Sequence, residues 1–222
     1  MRRREPLNRE KVLDAALALA GEHGLEGLSM RRLAKSLGVE AMSLYNHVSN
    51  KADILDGLAE RVFAQVEPAD PALPWPERVR GVASRMYRVM SRYPVVVRAL
   101  VTDQANPTSV TALQAFDGLV GALYAAGFPD DDARRALGAV NSLVFGSLLL
   151  STSGFTGDSH SEGGHQDAER YLRRVDPERL PHFSRLLPVM PQADPEEDFE
   201  RALDMLIAGL VATARALPEG SG

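Results

Sequence analysis

The sequence predicts an all-α protein, and three observations lead to that prediction. Apolar residues recur three and four positions apart along most of the 222 residues, which is the spacing of one helix face. Glycines and prolines fall between these stretches, where helices end. No strand-like alternation continues over a useful length, and there is no internal repeat. We expect two helical domains, over residues 1–68 and 69–222.

The first helix is predicted to start after Asn8, a suitable N-cap, and to end at His23-Gly24. Its apolar residues form one stripe, made of Val12, Leu13, Ala16, Leu17 and Ala20. One face of this helix should therefore be buried.

Residues 29–51, SMRRLAKSLGVEAMSLYNHVSNK, have the pattern of a helix-turn-helix. Ser29 can cap a short helix, and Gly38 allows the sharp turn after it. A second short helix, about 41–48, would bury Leu44 and Val48. It would leave the outer face to Met42, Ser43, Tyr45, Asn46 and His47. A helix of this size on a short turn fits the major groove, so the stretch predicts a site for double-stranded DNA.

The remaining elements follow from caps and breaks. A connecting helix over about 50–66 begins at Asn50, and residues 67–76 (EPADPALPWP) hold four prolines, so the domain boundary should lie there. We expect Trp75 to pack back on the second domain. A Gly/Ser-rich loop is predicted over 153–166. The further helices are predicted at about 76–92, 95–102, 108–126, 131–152, 167–175 and 195–217, with a proline-bounded segment at 177–191.

Composition limits the class of protein. There is no cysteine, which excludes disulfides and cysteine-based zinc sites and suits a reducing cytoplasm. No stretch reaches the roughly 18 apolar residues of a membrane span, so we expect a cytoplasmic protein with no membrane contact. The net charge is −5, yet residues 1–51 carry nine Lys/Arg against six Asp/Glu. A basic N-terminal part favours phosphate contacts, although Arg2–Arg4 could simply be a solvated tail.

The sequence shows no pattern of an enzyme. There is no GxSxG or Walker-type loop, and no nucleophile stands with a base. His160 and His165 share the Gly/Ser loop with Asp158 and Glu162, but such a loop lacks the hydrogen-bonding groups that orient the ligands of a metal site. We therefore expect no catalytic residue, no metal site and no cofactor.

Residues 8–65 resemble the N-terminal domain of the TetR (tetracycline repressor) family of one-component transcriptional regulators. The most diagnostic segments are Leu33–Lys51 (LAKSLGVEAMSLYNHVSNK), Ile54–Glu60 (ILDGLAE) and, upstream, Val12–Arg31. The rest of the chain resembles the tetracycline-repressor subgroup in layout. The resemblance implies a repressor with a three-helix DNA-binding domain and a C-terminal ligand-binding and dimerisation domain. It also implies a palindromic operator and release by a small effector.

The resemblance also assigns roles within the helix-turn-helix. Tyr45, His47 and Lys51 match positions that contact phosphates, although the Tyr45 ring could instead pack against the domain. Met30 and Arg31 lie where base contacts are often made. The residues that should face base edges are Ala41, Met42 and Ser43, and Met42 offers an apolar surface to a thymine methyl. Asn46 could contact a base or face water.

Two helices are unusually apolar, Ala136–Leu150 and Ala202–Ala216, and both contain small residues that permit close contacts. They could form the core of a monomer. The family resemblance implies instead a homodimer, in which the helices at about 131–152 and 195–217 form a four-helix bundle with the same pair of a second subunit.

In this family, ligands bind inside the second domain. When short segments are matched locally without gaps, the metal-binding His of the tetracycline repressors falls at Ala99, a polar drug anchor at Leu119, a second His at Glu67 and an acidic position at Leu150. These departures argue against a magnesium–tetracycline effector. The remaining candidate lining is mostly apolar and comprises Val82, Met86, Met90, Gln114, Phe116, Leu119, Asn141 and Phe145.

The same apolar spacing is also typical of plain core. An alternative function is therefore a TetR-like DNA-binding protein without a small-molecule effector, which organises DNA or responds to a protein partner. A closed, dry pocket and an operator affinity that no metabolite changes would favour that alternative. The sequence identifies neither the effector nor the operator.

Overall fold

The computed structural model describes residues 6–152, 175–189 and 194–216, and all regular secondary structure in these ranges is helical. The all-α prediction is confirmed. The predicted loop at 153–166, with His160 and His165, and nearly all of the predicted helix at 167–175 lie outside the described residues. The helices are α1 (Arg9–Gly27), α2 (Met30–Leu37), α3 (Ala41–Leu44), α4 (Lys51–Phe63), α5 (Trp75–Met90), α6 (Pro94–Val101), α7 (Val110–Ala125), α8 (Asp130–Thr152), α9 (Pro181–Leu186) and α10 (Pro195–Ala216).

The first helix is capped and interrupted where the sequence predicts. The side chain of Asn8 accepts a hydrogen bond from the Lys11 amide at 2.9 Å. Gly24 has a φ of +70°, a conformation that L side chains rarely adopt, and it breaks the regular helix. A further turn continues to Gly27, so the whole element is longer than the predicted one.

The chain divides into two compact units. Unit 1 runs up to Val66 and also includes Arg92–Ala115, which the sequence analysis places in the second domain. The reason is α6, whose Val96, Val97 and Ala99 are buried and which packs against α1 and α4. A hydrogen bond of 2.6 Å from the Asn106 amide to a carboxylate oxygen of Asp56 further joins this segment to α4.

Unit 2 comprises Glu67–Ser91 and the chain from Phe116 onward. Its helices α5, α8 and α10 pack against one another. Tyr87 stacks on Phe199 with ring centroids 4.1 Å apart, and Trp75 meets Phe128 edge-on at 5.9 Å. The prediction that Trp75 packs on the second domain is thus confirmed. No helix in the described part of the chain is long and apolar enough to cross a membrane.

Candidate nucleic-acid interface

The helix-turn-helix begins with α2, which is capped at both ends. The Ser29 hydroxyl accepts a hydrogen bond from the Arg32 amide at 3.3 Å. At the other end, Gly38 has φ +65° and ψ +39°, and its amide donates to the carbonyls of Ala34 and Lys35. Because this left-handed conformation favours glycine, Gly38 fixes the direction in which the chain leaves α2.

The recognition helix α3 is shorter than predicted. It ends at Leu44 rather than Val48, and three residues in a turn follow it. The amides of Tyr45 and His47 donate to carbonyls only three residues back, at 3.3 and 2.9 Å, while the Val48 amide bonds to Leu44 at 3.0 Å. Tyrosine, asparagine and histidine have modest helix propensity, which accounts for the tighter turn here.

The sequence predicts the buried face of this segment and three of the five residues of its outer face, while Ser43 and His47 are half-buried. Leu44 and Val48 are 0% and 2% exposed and lie in the core of unit 1. Met42 and Tyr45 are 75% and 49% exposed, and Asn46 is also exposed. A large apolar side chain as exposed as Met42 gives no stability to the folded chain and is available to a partner.

The other predicted DNA-contacting residues differ in accessibility. Arg31 is exposed on α2, whereas Met30, Ala41, Ser43 and His47 are half-buried. Lys51 is also half-buried, and its ammonium donates to the carbonyl of Leu25 at 2.5 Å. Lys51 therefore has a structural contact with the end of α1, which the sequence analysis did not anticipate.

Arg9 positions this surface, a role that the sequence does not predict. Its guanidinium donates to the backbone carbonyl of His47 at 3.2 Å and to the carboxylate of Asp53 at 2.7 Å. The other carboxylate oxygen of Asp53 accepts from the Ser49 amide at 2.7 Å. The hydrogen bond from Arg9 lowers the pKa of Asp53, and the Ser49 amide acts in the same direction, while partial burial opposes both. One arginine thus holds the end of the recognition turn and the start of α4.

Lys35, a further cation of α2, was also not predicted as a DNA contact. Lys35 is exposed and lies one turn after Arg31, so the two share a helix face. Neither side chain has an acidic partner among the residues that the structure describes. Both charges are therefore free to meet phosphates.

The candidate ligand residues are placed as follows. Val82, Met86, Met90 and Leu119 are fully buried, and Phe116, Asn141 and Phe145 are partly buried, all in unit 2. Gln114 differs, because it is exposed and belongs to unit 1. The side-chain oxygen of Asn141 is buried and has no hydrogen-bond partner within the described residues. In that same part of the chain, no group of three or more His, Asp and Glu could hold a metal ion.

Two sequence models of known domains match this chain, and together they decide its family. The sequence model described as bacterial regulatory proteins, tetR family, matches residues 12–58. The model described as the tetracyclin repressor-like C-terminal domain matches residues 67–214. The chain belongs to the TetR family. This TetR-family protein is a DNA-binding transcriptional regulator, and α2 and α3 form its helix-turn-helix.

The similarity to two relatives extends over nearly the whole chain. The chain is 31% identical over 210 residues to an HTH-type transcriptional regulator of Saccharopolyspora erythraea, covering 94% of this chain and 86% of the relative. It is 30% identical over 217 residues to the class D tetracycline repressor protein of Escherichia coli, covering 95% and 92%.

Solved structures give the same result. A possible TetR family transcriptional regulator from Streptomyces coelicolor A3(2) superposes with a TM-score of 0.78 at 31% identity, covering 93% of this chain and all of that one. ActR of Streptomyces coelicolor in complex with actinorhodin superposes with a TM-score of 0.76 at 26% identity, covering 94% and 97%. ActR is a member of the family that was solved with a bound small molecule.

Proposed function

We propose that this protein is a cytoplasmic repressor that binds a palindromic operator as a homodimer and is released by a small, mostly apolar effector. The observation that carries the proposal is that α3 and the turn after it have one buried and one exposed face. Leu44 and Val48 are fully buried, while Met42, Tyr45 and Asn46 are exposed immediately after the glycine turn. This is the arrangement by which a helix-turn-helix presents a surface to the major groove.

The DNA contacts that we propose are of two kinds, contacts to phosphates that position the protein on the duplex and contacts to base edges. Tyr45, His47, Lys51 and the exposed Lys35 contact phosphates, which supply most of the affinity. Arg31 and Met30 contact DNA from the start of α2. The base edges face Ala41, Met42, Ser43 and Asn46. Because few long polar side chains open α3, direct base contacts are few and the shape of the DNA contributes to specificity.

The dimer that we propose uses the outer faces of α8 and α10. Gly138 and Ser142 are exposed on α8, and Met205, Gly209 and Ala212 are exposed on α10. A Cβ atom added at Gly138 or Gly209 would meet nothing within 4 Å among the residues that the structure describes. Such a smooth face of small residues with one exposed methionine lets the helices of a second copy approach closely. Two recognition helices related by a two-fold axis then match a palindrome.

The effector pocket that we propose lies in unit 2. Its apolar part consists of Val82, Met86, Met90, Phe116, Leu119 and Phe145. The buried side-chain oxygen of Asn141, which has no partner among the described residues, supplies one acceptor, and this favours a ligand with a single hydrogen-bond donor on an apolar body. We leave Gln114 out of this pocket because it is exposed in unit 1. The family resemblance places Ala99 where the tetracycline repressors have their metal-binding His, so we propose an effector that binds without magnesium.

Selection of duplexes from a random DNA library by the full-length protein tests the DNA part. We expect palindromes whose half-site centres are about one helical turn, roughly 10 base pairs, apart. Enrichment of unpaired half-sites, or of no sequence, would contradict a two-fold symmetric repressor.

The selected operator then serves to test the effector. Apolar compounds with one hydrogen-bond donor should release it in fluorescence anisotropy, with or without EDTA. Leu119→Trp should fill the pocket and abolish release while leaving operator affinity unchanged. Release that EDTA prevents, or normal release from Leu119→Trp, would refute this pocket. An operator affinity that no compound changes would favour a TetR-family protein without a small-molecule effector.

A further inference from the structure

A groove of about 380 Å³ lies between α1 and the start of α6, and all of its lining belongs to unit 1. Its α1 side is formed by Leu17, Ala20 and Gly21, and its α6 side includes Arg92 and Arg98. The volume is at the small end of the range for ligand pockets. None of these residues belongs to the proposed DNA surface or to the proposed effector pocket, so the groove is a separate feature.

The two arginines of the groove have no acidic partner within the described residues, whereas Arg9, Arg61 and Arg80 are all paired with carboxylates. No acidic side chain lines the groove in that part of the chain. Both arginines are exposed, and two guanidinium groups without an acidic partner in the described part of the chain attract an anion and can bind a carboxylate with paired hydrogen bonds. The first turn of α6, which also lines the groove, adds a field of the same sign.

The α1 side of the groove is apolar and open. Leu17 is half-buried and Ala20 is buried, and neither has a polar atom in its side chain. A Cβ atom at Gly21 would meet nothing within 4 Å among the described residues, so they leave free space directly beside the helix. The hydroxyl of Tyr93 is within hydrogen-bond distance of the Gln65 amide nitrogen, at 3.3 Å, so it already has a partner outside the groove lining. Such a surface favours an organic body over a hydrated inorganic anion.

We propose that this groove binds a small monocarboxylic acid with an apolar chain. Arg92 and Arg98 hold its carboxylate, and the chain lies against Leu17, Ala20 and Gly21. The bound acid would contact both α1 and the start of α6. Helix α6 itself packs against α1 and α4, so the acid would bind within the unit that contains the helix-turn-helix. Binding to this groove can be measured without DNA or effector, so this proposal can be tested separately from the proposed function.

Calorimetric titration of the full-length protein tests the site with three probes, sodium octanoate, octanol and inorganic phosphate. We expect octanoate to bind at least tenfold more tightly than octanol, which lacks the charge, and than phosphate, which lacks the chain. Arg92→Gln and Arg98→Gln should each weaken octanoate binding at least fivefold. Gly21→Leu should weaken it at least tenfold, because the leucine fills the groove.

Two matched controls should bind octanoate as the wild type does. Ala18→Leu adds the same side chain to an exposed position of α1 outside the groove, and Arg179→Gln removes an exposed arginine of unit 2. Leucine favours a helix over glycine, so Gly21→Leu should keep its circular dichroism and melting temperature. If it does not fold, the two arginine variants decide the test.

Three results would overturn the proposal. One is the absence of octanoate binding by the wild type. Another is unchanged octanoate binding by the groove variants, which would place the acid elsewhere, for example in unit 2. The third is phosphate binding as tight as that of octanoate, which would leave the apolar side of the groove without a role.

Discussion

Arg9 and Asp53, 44 residues apart, are joined by a hydrogen bond of 2.7 Å between Nη2 and Oδ1. The same guanidinium reaches the carbonyl of His47, and the same carboxylate accepts from the Ser49 amide. This arrangement connects α1, the end of the recognition turn and the first turn of α4. The orientation of the proposed DNA surface therefore depends on an ion pair that lies outside it.

Asp53→Asn should lower the free energy of unfolding at pH 7 by about 1 kcal/mol, a modest value because Arg9 is 40% exposed and its charge is screened. The pKa of Asp53 is lowered in the folded state, so its contribution is present above the unfolded pKa of about 3.9 and is lost as the pH falls through the folded value. Urea unfolding should show the difference between variant and wild type shrinking below about pH 4. Asp117→Asn, at an exposed carboxylate, is the control; equal stability of Asp53→Asn and wild type at pH 7 would refute the role of the pair.

Tyr45→Ala should weaken operator binding about tenfold with little change in melting temperature, because the side chain is half exposed and lies outside the core. Tyr124→Ala is the matched control, since Tyr124 is equally exposed but belongs to unit 2. Anisotropy titrations of both variants on one operator provide the comparison. Equal affinities would show that the turn after α3 does not contact DNA.

Much of this site could be predicted because its signals are local. Ser29 and Gly38 act on amides and carbonyls within a few residues, so their types and positions suffice to predict a capped helix and a turn. The buried and exposed faces of α3 follow from periodicity in the same way. The end of α3 was misplaced because side-chain spacing does not show where bonds over four residues give way to bonds over three.

The longer connections could not be predicted from the sequence. Arg9 and His47 are 38 residues apart, and no periodicity or composition indicates that a side chain of α1 bonds to the recognition turn. Lys51 resembles a phosphate-contacting residue in sequence, yet its ammonium bonds to Leu25, 26 residues earlier. The grouping of α6 with unit 1 likewise depends on which apolar helix faces meet, and several partners satisfy one apolar pattern.

Substitutions at Lys51 and Lys35 should have different effects, because the first lysine has a structural contact and the second is proposed only to contact DNA. Lys51→Gln should lower the free energy of unfolding by about 1–2 kcal/mol, because the Leu25 carbonyl loses a charged donor, and it should also weaken operator binding. Lys35→Gln should leave stability unchanged and reduce the slope of log affinity against log salt by about one unit. Chemical unfolding and salt titrations of both variants measure the two effects. If Lys51→Gln is as stable as the wild type, the structural role of Lys51 is refuted. If the salt slope of Lys35→Gln is unchanged, Lys35 does not contact a phosphate.

Gly209→Arg should abolish the dimer. Within the described part of the chain nothing lies within 4 Å of a Cβ atom at this position, so the arginine causes no clash there and replaces a residue that weakens the helix. Across a close two-fold contact, the same arginine would bury an unpaired charge and excess volume, at a cost of several kcal/mol. Light scattering should therefore report a folded monomer or aggregation. Ala125→Arg, at an exposed small residue of α7, should remain dimeric. If Gly209→Arg also remains dimeric with an unchanged melting temperature, the two-fold contact lies on another surface.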